Sequence, residues 1–384
     1  MSSLPPVPSD ASAPAPPRWL CVRLALAAVV VRCLPLALLF GKTSTTWNSY
    51  LSGSDAGSFL PMARVIYGLA PLSAVKVYDT RVFPGWPLLL GLPLRLGLPE
   101  WSALALSLAC SALVPILFLR LTGERRLAWL LVYFPPAWLL AGLHPISEPA
   151  YLALILAGLL ALKYARPGLA GGVLGATFVL RPFGAAWAAG GWVAGLWSRP
   201  RDGRAALRFA LLAAVPVAGL LVLNAAVFGD PLRQLHVYEL PLDQLNLSTA
   251  TAAQLGAAAG HWGPPFKYLL LTPWLTPVPA WKIAYIYAHA AALLVLVWRG
   301  VAFLRGPGEP WQRALVLGFL ANAALIVCTG PYWGFHSFDR YFVWGLPGAL
   351  WLARGWYTSD RCHWILAPVS LALATHALLS HAGG

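Results

Sequence analysis

Long apolar runs separated only by short polar or basic intervals recur along this chain, and stretches of that kind have few ways to fold. A helix crossing a bilayer needs about 20 apolar residues, whereas barrel strands are short and alternate. The runs therefore predict an all-α, polytopic transmembrane protein. With 59% hydrophobic and only 10% charged residues, the 384-residue chain lies far from globular composition.

The net charge of +14 does not point to nucleic acid, because Lys and Arg fall in short clusters between the apolar runs. That is how positive charge marks cytoplasmic segments. The five cysteines, Cys21, Cys33, Cys110, Cys328 and Cys362, show neither CxxC nor zinc spacing. They read as small interior residues, and no metal site is expected from them.

Residues 1–17, rich in Pro, Ser and Ala, bury no core and are expected to form a disordered tail. The remainder, 18–384, reads as one transmembrane domain with a cytoplasmic N-terminus. The run Trp19 to Phe40 follows Arg18, contains Arg23 and precedes no small-residue cleavage site, so it is expected to be an uncleaved anchor. A first outer interval then covers 41–98, with surface helices expected at Ser58 to Leu69 and Phe83 to Leu98.

Further spans are expected near 101–121, 127–143 and 149–163. The segment 168–197, broken at Arg181-Pro182, is expected to form two short helices. Spans near 206–227, 279–298, 312–330, 341–355 and 364–381 complete about eleven, with a second outer loop over 229–278. Arg120, Arg125 and Arg126, then Lys163 and Arg166, then Arg199, Arg201, Arg204 and Arg208, then Arg299, Arg305 and Arg313 mark the cytoplasmic side. Most acidic residues fall on the other side, which directs attention there for chemistry.

Asp55 is the leading candidate for a catalytic carboxylate. Ser54, Ala56 and Gly57 around it leave room for a bulky substrate, and a carboxylate at an apolar boundary is pushed toward useful basicity. The other reading is a helix N-cap, for which Ser54 or Asp55 is suited. Asp79 and Arg81 lie among aromatics in Tyr78-Asp79-Thr80-Arg81, and read either as a surface ion pair or as a lining for a lipid-borne phosphate and sugar.

Glu148, in His144-Pro145-Ile146-Ser147-Glu148-Pro149, is either a helix cap or a carboxylate retained for use at lipid depth. An arginine at a helix centre in lipid costs about 2.5–3.5 kcal/mol, less near its ends, so Arg181 needs an anion or carbonyl partner, and either Glu148 or a substrate phosphate could serve. Asp339 and Arg340 open a later span, where the planar guanidinium suits phosphate and a cap or interfacial anchor is the other reading. His236 and His336 are further polar candidates on the same side.

Taken in order, these segments resemble the GT-C glycosyltransferases, and within them the bacterial relatives of the PIG-V-like mannosyltransferase of GPI synthesis. The resemblance rests on Asp55 in the first outer interval, Phe83-Pro84-Gly85-Trp86-Pro87-Leu88, Ser147-Glu148-Pro149, Leu180-Arg181-Pro182-Phe183-Gly184, Gly229-Asp230-Pro231-Leu232 with His236, and Arg340-Tyr341. Where the family often has Asp-Gly-x-Trp-Tyr, this chain has Asp55-Ala56-Gly57-Ser58-Phe59.

The resemblance implies transfer of a sugar, typically mannose, from a polyprenyl-phosphate donor with inversion, and Asp55 as the base that deprotonates the acceptor hydroxyl. A lipid, glycan or protein acceptor and surrounding membrane lipids would be the partners, on the periplasmic or extracellular face of the plasma membrane. No cofactor is required by that chemistry, and a divalent metal is left open. A phosphate is already a good leaving group, so one base with arginines for the phosphate suffices. The rival reading is a transporter or flippase of lipid-linked sugars, for which charges at mid-membrane in broken helices and paired repeats are expected.

Overall fold

In the computed structural model the described residues are 16–52, 55–198, 202–237, 280–328, 342–357 and 359–382. Among them every regular element is helical. In chain order the helices are α1 (Arg18–Lys42), α2 (Trp47–Ser52), α3 (Ala56–Ile66), α4 (Gly85–Arg95), α5 (Trp101–Thr122), α6 (Arg125–Tyr133), α7 (Pro136–Leu143) and α8 (Glu148–Lys163). They continue as α9 (Pro167–Leu180), α10 (Gly184–Ser198), α11 (Gly203–Phe228), α12 (Arg233–His236), α13 (Ala280–Leu304), α14 (Pro310–Cys328), α15 (Leu346–Leu352) and α16 (Arg361–Ala382). Short 3-10 turns cover Leu72–Ala74, Val77–Arg81 and Arg354–Trp356.

Among the described residues five helical stretches are long and apolar enough to cross a membrane: Arg18–Lys42, Trp101–Thr122, Gly203–Phe228, Tyr287–Leu304 and Arg361–Leu379. The pair α6 and α7 makes a sixth if counted as one bent span. This is a helical protein with the character of a membrane protein. The expectation of about eleven spans exceeds that number in part because α8, α9 and α10 have 16, 14 and 15 residues, short of the roughly 20 needed to cross alone, and in part because the expected spans at 312–330 and 341–355 lie partly outside the described residues.

The break at Arg181-Pro182 separates α9 from α10 as expected. The expected single span at 127–143 is instead bent by 61° between Tyr133 and Pro136. Two consecutive prolines explain the bend, because neither Pro135 nor Pro136 has an amide hydrogen for the ladder. The carbonyls of Leu131 and Val132 thereby lose their helical donors. Side chains replace them: Trp138 Nε1 donates to Leu131 O at 2.6 Å, and Arg32 Nη1 donates to Val132 O at 3.0 Å. Two other boundaries shift, since α13 runs through Arg299 to Leu304 and α15 is a short helix within the expected span at 341–355.

Helix α8 is buried along most of its length and packs against α5 and α9. Around it, α1 packs on α5, α11 on α9, α10 on α14, and α16 on α7 and α1. The contact of α9 with α11 is made possible by Gly171 and Gly175, one helical turn apart. A Cβ on Gly171 would collide with the carbonyl of Phe209, and one on Gly175 with that of Ala213. Small residues four apart let two backbones approach where lipid offers no hydrophobic drive to associate. Much of α11, including Leu207, Leu211 and Val215, is exposed, as suits a lipid-facing helix.

Candidate functional site

The first polar interval folds down onto one end of the bundle. Helices α3 and α4 pack together, and α4 reaches the end of α9. Gly85 lies so close to Val179 that a Cβ there would come within 2.6 Å of the carbonyl oxygen. Phe83 and Phe178 meet edge to face at 5.5 Å. The turn 143–147 is held by side chains from three helices. Tyr50 of α2 donates to Leu143 O, Ser107 of α5 to His144 O at 2.8 Å, and Trp86 of α4 to Pro145 O at 2.8 Å. The Tyr50 ring also stacks on His144 at 5.1 Å.

Asp55 occupies the N-cap position of α3, yet its side chain makes no cap hydrogen bond. The capping role open to it from the sequence is thus not the one it performs. One turn further on, Ser58 Oγ donates to Asp79 Oδ1 at 2.6 Å. Asp79 also faces Arg81, with Nη1 and Oδ1 3.7 Å apart, while Arg81 lies over the Tyr78 ring at 3.5 Å. The Asp79 and Arg81 side chains retain 18% and 20% exposure, enough to meet a ligand. The first turn of α3 is thereby tied, through Ser58, to a turn that carries one carboxylate and one guanidinium.

Arg181 and Glu148 form the ion pair that the sequence left as one of two options. Nη2 of Arg181 is 2.8 Å from Glu148 Oε1, and Nε donates to Ser147 Oγ at 2.7 Å. Ser147 also stands at an N-cap without a cap bond of its own; it is spent on Arg181. The guanidinium lies over Trp344 at 4.9 Å, and Phe183 closes against the same indole at 4.5 Å. Glu148 is fully buried and Arg181 is 14% exposed, so the pair braces the helix ends and the carboxylate is shielded from a ligand. The residues 82–86 connect this brace to the Asp79 cluster.

The start of the second outer loop docks on the first interval. Arg233 Nε donates to Thr80 Oγ1 at 2.9 Å, and α12 packs against the Val77–Arg81 turn. Asn224 and Gln234 exchange amide hydrogen bonds of 2.5 and 3.1 Å, tying α12 to the end of α11. His236 pairs with Asp230 at 2.9 Å. Partial desolvation pushes the Asp230 carboxyl up. The His236 bond, the Leu232 amide and the charges of His236 and Arg233 outweigh it and hold the group below its usual range.

Thus Asp55, Asp79, Arg81, Glu148, Arg181 and His236 all belong to this end of the bundle, in two clusters and a docked flap. His336, Asp339 and Arg340 lie outside the described residues, as do 238–278 of the second loop and 1–15 of the tail. Among the described residues no three or more of His, Cys, Asp and Glu are gathered to hold a metal. The sequence assigned no role to Ser58, Tyr50, Trp86 or Arg233, although Ser58 and Trp86 lie in segments that carry the resemblance. Compared with known family models, curated proteins and solved structures, the chain matches none.

Proposed function

We propose that the chain is an integral membrane glycosyltransferase of GT-C type, with about eleven membrane-embedded helices, of which α8, α9 and α10 are too short to cross alone. It moves a sugar, mannose by the resemblance, from a polyprenyl-phosphate donor to a lipid, glycan or protein acceptor on the outer face. The observation that supports this reading is the bond from Ser58 to Asp79, which ties the turn of α3 that follows Asp55 to the partly exposed Asp79 and Arg81 pair.

In this scheme Asp55 takes the proton of the acceptor hydroxyl as its oxygen bonds to the anomeric carbon. The bond from that carbon to the phosphate oxygen breaks, its electron pair leaving with the phosphate, and the configuration inverts. Arg81 is placed to stabilise the charge that collects on the departing phosphate. Asp79, held by Ser58, orients Arg81.

The test is a panel of polyprenyl-phosphate sugars offered to purified protein in vesicles, with products analysed by mass spectrometry. A new glycosidic bond that Asp55→Asn abolishes, at unchanged melting temperature, is the expected result. Transfer at wild-type rate by Asp55→Asn would remove that residue from the chemistry. Labelled lipid crossing the bilayer with no glycosidic bond formed would instead favour a transporter.

A further inference from the structure

A cleft at the opposite end of the bundle has no part in the proposed chemistry. It opens between the end of α8, the start of α9, α10, α11 and the start of α14, and encompasses about 520 Å³ including its open mouth. Its wall is made of small and apolar residues, among them Ala165, Pro167, Gly195, Ala205 and Phe209. The one acid in the lining, Asp202, is occupied at the N-cap of α11, where its Oδ1 accepts from the Ala205 amide at 3.0 Å.

Three arginines adjoin the lining residues of this apolar slot in the chain. Arg166 lies in the chain between the lining residues Ala165 and Pro167, Arg204 immediately precedes Ala205, and Arg208 immediately precedes Phe209. All three are exposed, and none joins an ion pair among the described residues. Two nearby cations are already committed. Lys163 Nζ donates to the carbonyls of Arg120 and Leu121 at 3.1 and 2.7 Å, and Arg313 lies over Trp197 at 5.1 Å. Tyr164, Trp192 and Trp197 are exposed at this end, residue types that favour the headgroup level of a bilayer. Beyond them α11 presents Leu207, Leu211 and Val215 outward.

We infer that this cleft is a binding site for a phospholipid of net negative charge, with an acyl chain in the slot and the headgroup phosphate among Arg166, Arg204 and Arg208. Charge complementarity decides the headgroup, since three exposed guanidinium groups outnumber the single lining carboxylate, Asp202, and leave a net positive charge that attracts an anion and offers a zwitterion less. The apolar wall decides for a lipid over free phosphate, which would gain nothing from the slot.

The experiment reconstitutes the full chain in nanodiscs of phosphatidylcholine with phosphatidylglycerol, then measures co-purified lipid by native mass spectrometry. Phosphatidylglycerol should be retained selectively, and each change among Arg166→Gln, Arg204→Gln and Arg208→Gln should weaken retention by roughly fivefold. Gly195→Leu tests the slot without altering charge; a Cβ there meets nothing within 4 Å, so the side chain enters open space. It should reduce retention while leaving the melting temperature in phosphatidylcholine unchanged. Equal retention of both lipids, or retention indifferent to Gly195→Leu and to the arginine changes, would overturn the site. Inorganic phosphate raising the melting temperature as much as phosphatidylglycerol would also overturn it.

Discussion

Arg32 Nη1 lies 3.0 Å from the carbonyl oxygen of Val132, the acceptor that Pro136 leaves without an amide donor. The same nitrogen is 3.1 Å from Ala28 O, and the guanidinium lies 4.9 Å from the Trp138 ring. An arginine on the first span, fully buried, is thereby a substitute donor at a helix break. In lipid a backbone carbonyl has no water to turn to, so the bend between α6 and α7 depends on such a donor.

Replacing Arg32 separates two roles. Arg32→Met orphans Val132 O, at a cost of about 1–3 kcal/mol, and at the same time relieves the burial of a charge. Arg32→Gln also removes the charge but keeps an N–H donor. The expected order of melting temperature is therefore Gln above Met, measured by heat denaturation in detergent. Equal values for the two would show that Val132 O does not depend on this side chain.

The close approach of α9 and α11 gives a second prediction. Backbone atoms, which cannot rotate away, fill the space that a methyl group would take at Gly171 and Gly175. Gly171→Ala and Gly175→Ala should each cost about 1–3 kcal/mol, the range for overpacking. Gly219→Ala, on α11 with nothing within 4 Å of the added carbon, is the control and should be near neutral in denaturation experiments. A destabilised control with tolerant Gly171 would reverse the packing account.

Much of this architecture was legible because lipid imposes one rule, that apolar runs become helices. Arg181-Pro182 marked a break for the same reason that Pro135-Pro136 did, but the second pair sat inside a uniformly apolar stretch and no charge drew attention to it. Hydropathy also counts helices without measuring their lengths, and α9 and α10 prove too short to cross alone. At the site, the need of Arg181 for a partner was legible because a buried charge demands one, but the choice between Glu148 and a substrate phosphate was not. The contacts of Ser58 with Asp79 and of Arg233 with Thr80 join residues 21 and 153 positions apart, and no local pattern specifies them.

The brace at Arg181 and Glu148 yields a double-mutant cycle. Removing one member leaves the other without its counter-charge at a buried site, which typically costs about 3–5 kcal/mol. Removing both lifts that penalty. Glu148→Gln and Arg181→Met should therefore each destabilise strongly, while the double variant should be less destabilised than the sum of the two. Denaturant titration of the four proteins reads the coupling, and strict additivity would mean that the pair contributes nothing as a pair.

Acid should loosen the docked flap before the rest of the molecule. The carboxyl of Asp230 has a folded-state affinity for protons below that of an ordinary aspartate, near 3.9 when unfolded. A depressed carboxyl stabilises the fold above its unfolded value and loses that contribution as the pH falls through its folded value. The stabilisation is present at neutral pH and fades only below about pH 4. Asp230→Asn removes the titrating group, so its melting temperature should lie below that of the wild type at neutral pH, with the gap closing as the solution is taken below about pH 4. A gap independent of pH would place the effect of the substitution elsewhere than in the charge of Asp230.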